Sequence, residues 1–142
     1  MEAALEVRQL MDLDQFLVGV VDDDLSVLES FEELLSSGGY ASLLFPSAEA
    51  FLAANSLEQL DCLISDIAMP GMSGWELLEI GRTNHPDLPI ILVTARDEEL
   101  SREAIEKKGA RRLFKKPFNG KEFLNTLDAI LRPGRVPPRD SK

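Results

Sequence analysis

Apolar runs alternate with segments of helical periodicity five times along this chain. Phe16 to Val21 (FLVGVV) is an unbroken, β-branched-rich run that stops at Asp22, Asp23 and Asp24, the pattern of a strand buried on both faces. From Leu25 to Ser36, the residues Val27, Leu28, Phe31, Leu34 and Leu35 recur at helical spacing until Gly38-Gly39. This predicts an amphipathic helix with Asp24 as its cap. Tyr40–Phe45 reads as a second strand and Ser47–Ala54 as a short helix capped by Ser47. Leu60–Ser65 is a third strand that runs into Asp66, and the loop MPGMSG leads to a helix at Ser73-Gly74-Trp75-Glu76, a capping-box sequence. Leu88–Val93 is a fourth strand ending at Thr94, followed by a helix from Asp97 to Lys108 that Gly109 stops. A short fifth strand, Arg112–Lys115, precedes Lys116-Pro117 and a last helix from Asn119 to Leu131. Five strands alternating with five helices predict an α/β fold with a doubly wound parallel sheet covered on both faces.

The remaining segments frame one domain. Residues 1–15 carry a weak helical pattern (Leu5, Leu10, Leu13) and read as an N-terminal extension without an assigned role. The domain proper is expected over residues 16–132. From 133 to 142 the chain is rich in Pro and Arg and reads as a linker or tail. The length of 142 residues suits a single core.

Charge narrows the functional classes. Residues 1–81 hold sixteen acids and one base, Arg8, whereas 82–142 hold nine acids and fourteen bases, giving a net charge of −10 overall. Direct contact with nucleic acid by this domain is therefore not expected. The lone Cys62 cannot form an internal disulfide, and with His85 as the single histidine no structural zinc site can be assembled. No apolar run approaches the roughly 20 residues of a membrane span, and the acidic start is unlike a signal peptide. A soluble cytoplasmic protein with no membrane association is expected.

Candidate chemistry lies at the strand ends. Asp22 and Asp23 follow strand 1, Asp66 follows strand 3, Thr94 ends strand 4 and Lys116 follows strand 5. Open α/β sheets bind ligands at the carboxyl ends of their strands, so these five side chains are expected to converge. Three carboxylates within about 5 Å of one another repel by about 3 kcal/mol per pair at an effective dielectric near 20. Such a cluster calls for a cation, and hard oxygen donors select Mg²⁺, with Mn²⁺ as the alternative. One carboxylate is then available as a nucleophile toward phosphorus, with Lys116 and the Thr94 hydroxyl placed to hold phosphoryl oxygens. Pro70-Gly71 and Gly74 fit an ordinary turn, while Met69, Met72, Trp75 and Phe118 read as packing residues.

With these residues in view, the chain closely resembles the receiver domain of two-component response regulators. The matching pieces are VVDDD (20–24), SDIAMPGMSGWELL (65–78), PIILVTA (89–95) and GARRLFKKPF (109–118). The resemblance runs from Phe16 to Leu131 and implies a flavodoxin-like strand order of 2-1-3-4-5, which puts the crevice between strands 1 and 3. It implies that Asp66 is the phosphoacceptor and that Asp22, Asp23, Asp66 and the backbone carbonyl of Ala68 hold Mg²⁺. Thr94 and Lys116 would engage the phosphoryl group, Lys116-Pro117 would be a cis peptide, and Arg96 would tune loss of the phosphoryl group. The face of the fourth helix, fifth strand and fifth helix would then be switched. A histidine kinase or phosphotransfer protein is the implied partner, with a phosphorylation-dependent homodimer as a further one.

The segments SAEAFL and MPGMSGWELL are similar to FixJ-type receivers, whose full proteins usually carry a C-terminal DNA-binding domain, so transcription regulation is the implied output. In one respect the chain departs from the family. The position three residues before Lys116, commonly aromatic, is Leu113, and Phe114 is expected on the opposite side of the strand. Two other classes compete with this reading. An aspartate phosphohydrolase would need an acid two residues after the nucleophile, where Ala68 stands. An interaction module indifferent to phosphorylation draws its support from Leu113.

Overall fold

Residues Leu17–Val21 (β1), Ala41–Phe45 (β2), Cys62–Asp66 (β3), Ile90–Thr94 (β4) and Arg112–Lys115 (β5) form one parallel sheet in the order β2-β1-β3-β4-β5. The computed structural model describes residues 15–55, 57–95 and 102–133. The N-terminal extension to residue 14, Arg96, the start of the helix expected from Asp97 and the tail from 134 lie outside the described residues.

Among the described residues four helices connect the strands, Leu25–Ser37 (α1), Ala48–Ala53 (α2), Gly74–Asn84 (α3) and Arg102–Lys108 (α4), and Gly120–Leu131 (α5) follows β5. Their starts follow local chemistry. Asp24 accepts the Ser26 amide, Ser47 accepts the Ala50 amide and Asn119 accepts the Glu122 amide. Ser73 and Glu76 close a reciprocal capping box at α3, as the sequence predicts. Removing that cap with Ser73→Ala should cost about 1 kcal/mol. Thermal unfolding should then fall by roughly 3–5 °C, and an unchanged midpoint would show that the cap is dispensable.

Strand ends differ from the sequence expectation by one or two residues, for identifiable reasons. Pro89 has no amide to give the ladder, so β4 begins at Ile90 rather than Leu88. Asp61 leaves the third strand to bind the start of the first: its amide donates to the Leu17 carbonyl and its Oδ2 accepts the Leu17 amide at 2.7 Å. A short 3-10 turn at Leu57–Gln59 precedes it, which the apolar pattern does not predict.

The alternation of the strands builds two cores, one on each face of the sheet. Val18, Val20, Ile64, Ile91, Val93 and Phe114 face α1 and α5, while Leu17, Leu63, Ile90 and Leu92 face α2, α3 and α4. On the first face Phe31, Phe114, Phe118 and Phe123 form a ring cluster, with centroids 4.8–5.7 Å apart. Phe118 is therefore a packing residue, partly buried, and its ring contacts fix the segment just after Lys116. Trp75, Met69 and Met72 pack partly buried against the second core.

At the amino edge of the sheet a clasp joins both ends of the fold. Arg132, which caps α5, lies over the rings of Tyr40 (4.6 Å) and Phe16 (5.6 Å) and pairs with Asp128 at 3.9 Å. The Tyr40 hydroxyl donates to the same Asp128 carboxylate, and burial together with that carboxylate raises the Tyr40 pKa.

Candidate functional site

The carboxyl edge of the sheet gathers the residues that the sequence places at strand ends. Parallel pairing of β1 with β3 sets Val21 beside Ser65, so Asp22 and Asp66 emerge next to each other. Carboxylate oxygens of Asp22, Asp23 and Asp66 all lie within 4.8 Å of one another. Asp22 is 1% exposed and Asp66 8%, whereas Asp23 is open to solvent. The pocket is thus walled by two buried acids and reached over an exposed one.

Asp22 is held on both oxygens. Its Oδ1 accepts the Asp24 amide at 2.9 Å, and its Oδ2 accepts from Lys116 Nζ, also at 2.9 Å. The same ammonium lies 3.8 Å from Asp66 Oδ2. Lys116 reaches this position because its amide donates to the Thr94 carbonyl (2.7 Å) and Phe118 is anchored in the ring cluster; the Lys116-Pro117 bond is cis, as expected. Thr94, buried, ends β4 one residue beyond Val93, the ladder partner of Asp66. Ala68 is exposed in the loop that follows Ile67.

Electrostatics make the pocket a receptor for positive charge. Burial and the neighbouring Asp22 charge raise the pKa of Asp66, and the Lys116 ammonium only partly opposes them. Three carboxylates and one ammonium leave the ionised cluster two charges short of neutrality. A hard divalent cation matches both that deficit and the all-oxygen donor set.

Leu113 and Phe114 lie on opposite faces of β5. Leu113 packs with Leu92 on the face that Thr94 shares by strand parity, while Phe114 is buried in the ring cluster. An aliphatic side chain therefore stands next in line behind Thr94. Arg96 lies outside the described residues, and among those described no helix is long and apolar enough to cross a membrane.

Two features of the site escape the sequence reading. Gly74 is more than a turn residue: its amide donates to the Ile67 carbonyl at 2.9 Å, and a Cβ there would meet the Asp66 carbonyl oxygen at 2.3 Å. Glu49, on α2, accepts the Met72 amide at 2.9 Å and thereby touches the loop after Asp66. An acid in the first turn of a helix reads as a dipole partner, so only the tertiary contact distinguishes Glu49 from any other.

Comparison with known proteins agrees with this arrangement. The profile described as Response regulator receiver domain matches residues 18–128. Transcriptional regulatory protein FixJ of Bradyrhizobium diazoefficiens is 35% identical over 114 residues, covering 80% of this chain and 55% of the relative. Response regulator MprA of Mycobacterium bovis is 37% identical over 122 residues, covering 86% and 52%. The chain thus spans about half the length of these curated relatives. Among solved structures, a CheY-like response regulator receiver domain protein from Methanospirillum hungatei superposes with a TM-score of 0.75 at 27% identity, covering 84% of this chain and 95% of that one. Chemotaxis protein CheY4 of Vibrio cholerae gives 0.73 at 28% identity, covering 82% and 99%.

Proposed function

This chain belongs to the response regulator receiver family of two-component signalling, and from that premise we propose that it is a Mg²⁺-dependent phosphoacceptor switch charged on Asp66. The observation that carries the reading is the packing of Asp22, Asp23 and Asp66 within 4.8 Å, with the Lys116 ammonium between Asp22 and Asp66. The phosphodonor is a phosphohistidine of a kinase or phosphotransfer protein. Asp66 Oδ forms a bond to phosphorus as the donor's N–P bond breaks, and the departing imidazole keeps the electron pair. Lys116 gives up its hydrogen bond to Asp22 to hold a phosphoryl oxygen, and the Thr94 hydroxyl, one residue beyond the partner of Asp66, donates to another.

Asp22, Asp23, Asp66 and the Ala68 carbonyl would hold the Mg²⁺, or Mn²⁺. When bound, the ion supplies charge that offsets the carboxylates and the phosphoryl oxygens together. The chain's own part is positional. Asp22 is fixed through the Asp24 amide, Asp66 through the ladder with β4, and Lys116 through the Thr94 carbonyl and Phe118.

The domain is a signalling module that promotes only its own phosphorylation and dephosphorylation. Residues 16–132 form the switch, and 133–142 lead from it. Its output surface is the face of α4, β5 and α5, which controls transcription in the cytoplasm through a separate output domain and supports a phosphorylated homodimer. Leu113 transmits the movement of Thr94 as an aliphatic contact, and Arg96 sets how long the phosphoryl group survives.

The test is intact mass after incubation with a small phosphodonor, with Mg²⁺ and with chelator. A single phosphoryl adduct that forms only with the cation is expected. A folded protein that takes up no phosphoryl group under either condition would instead make this a phosphorylation-independent interaction module.

A further inference from the structure

The loop Ile67–Ser73, which joins the end of β3 to α3, is held at two places. At its base the Gly74 amide donates to the Ile67 carbonyl. On its far side the hold comes from a different element, through Glu49 in the first turn of α2. Glu49 Oε2 accepts the Met72 amide at 2.9 Å, and the two residues are 23 apart in sequence. Next to that contact Gly71 has φ +77°, and a Cβ on it would lie 2.6 Å from the same Glu49 oxygen. Gly71 is therefore favoured by its left-handed backbone, and a side chain there would push the Glu49 carboxylate off the loop. The Met72 amide holds Glu49 below the ordinary carboxylate pKa, so the acceptor is charged at neutral pH.

We infer that Glu49 is a positioning residue for the acidic pocket: by gripping the Met72 amide it fixes the loop that carries the Ala68 carbonyl, and so presets the cation site beside Asp66. The inference rests on the reading of that pocket as a cation-dependent phosphoacceptor. Glu49 is exposed, so its hydrogen bond adds little to global stability. What it restrains is a loop of seven residues, and loops of this kind open locally at far lower cost than the fold unfolds. A loosened loop must be ordered again each time a cation binds, which weakens the apparent affinity.

The experiment uses Glu49→Ala and Glu49→Gln in the full chain. Trp75, the single tryptophan, is the second residue of α3 and reports the end of the loop. Mg²⁺ titration followed by its fluorescence should show affinity weakened about three- to tenfold in Glu49→Ala, the range a single solvent-exposed hydrogen bond can supply. The melting temperature without Mg²⁺ should stay at the wild-type value. Glu49→Gln keeps an oxygen at the same reach and should recover most of the affinity. Exchange of the Met72 amide should speed up in Glu49→Ala and not in Glu49→Gln.

Wild-type affinity in Glu49→Ala, with the wild-type protein itself binding Mg²⁺, overturns the positioning role and leaves the phosphoacceptor reading intact. Equal weakening in both variants with a parallel fall in melting temperature also overturns it, in favour of a general structural role. A wild-type protein that binds no Mg²⁺ overturns the reading of the pocket, and the inference with it.

Discussion

Asp66→Asn should abolish the phosphoryl adduct completely and, in the presence of chelator at neutral pH, should melt at a higher temperature than the wild type. The first outcome follows from chemistry, because a carboxamide has no anionic oxygen with which to attack phosphorus. The second follows from the pocket's electrostatics. The folded state raises the Asp66 pKa above its ordinary 3.8 through burial and the Asp22 charge. Folded protein therefore binds that proton more tightly than the unfolded chain does. As pH climbs past 3.8 through the raised value, the wild type loses stability that the uncharged asparagine keeps.

The gap between the two melting curves should accordingly open with rising pH and close toward acid. Added Mg²⁺ should narrow it from the wild-type side, by binding the folded acidic site. Intact mass and a pH series of thermal melts check both halves. An adduct that persists on Asp66→Asn would move the acceptor to Asp22 or Asp23. A variant less stable than the wild type at neutral pH would mean that Lys116 outweighs the carboxylate repulsion.

Gly74→Ala should be the most destabilising single-methyl change near the pocket, at about 3 kcal/mol. Two effects compete at this first residue of α3. Alanine has the better helix propensity, by at most about 1 kcal/mol. Against this, its Cβ would sit 2.3 Å from the Asp66 carbonyl oxygen and 2.8 Å from Ile67 Cα. Both are backbone atoms, with no side chain to swing away, so steric cost prevails and α3 must retreat from the end of β3. Because Asp66 sits on that backbone, Mg²⁺ affinity should fall together with stability. Urea unfolding with an unchanged slope measures the cost, and an unfolding free energy within about 1 kcal/mol of wild type would show that the helix can shift freely.

The architecture was readable from the chain because its determinants are local. Parallel strands buried on both faces give continuous runs such as FLVGVV and LPIILV, and Asp24, Ser47, Ser73 and Asn119 each sit where a helix needs an acceptor. The grouping of Asp22, Asp23, Asp66 and Lys116 was readable as well, since strand ends share one edge of a parallel sheet. The opposite facing of Leu113 and Phe114 needed only the two-residue period of a strand. What could not be read depends on contacts between distant segments. Asp61 turns from β3 to bind Leu17, which shortens the strand. Glu49 meets Met72 only after two elements have folded, and the closeness of Gly74 to Asp66 is a matter of packing distance. In the sequence, Gly71 and Gly74 look alike as turn residues. In the fold, one faces a side-chain carboxylate and the other a strand backbone.

The clasp of Phe16, Tyr40, Asp128 and Arg132 also bears on how the domain could be wired to a reporter. Strands of five residues separate this edge of the sheet from the acidic pocket by about 17 Å. The chain enters at Phe16 and leaves at Arg132 through one shared seam. A fluorophore pair attached on either side of that seam would therefore sit close together. Its signal would follow the grip of Arg132 on the two rings, and filling the pocket would be visible only if the last helix carries the news across the sheet and opens the seam.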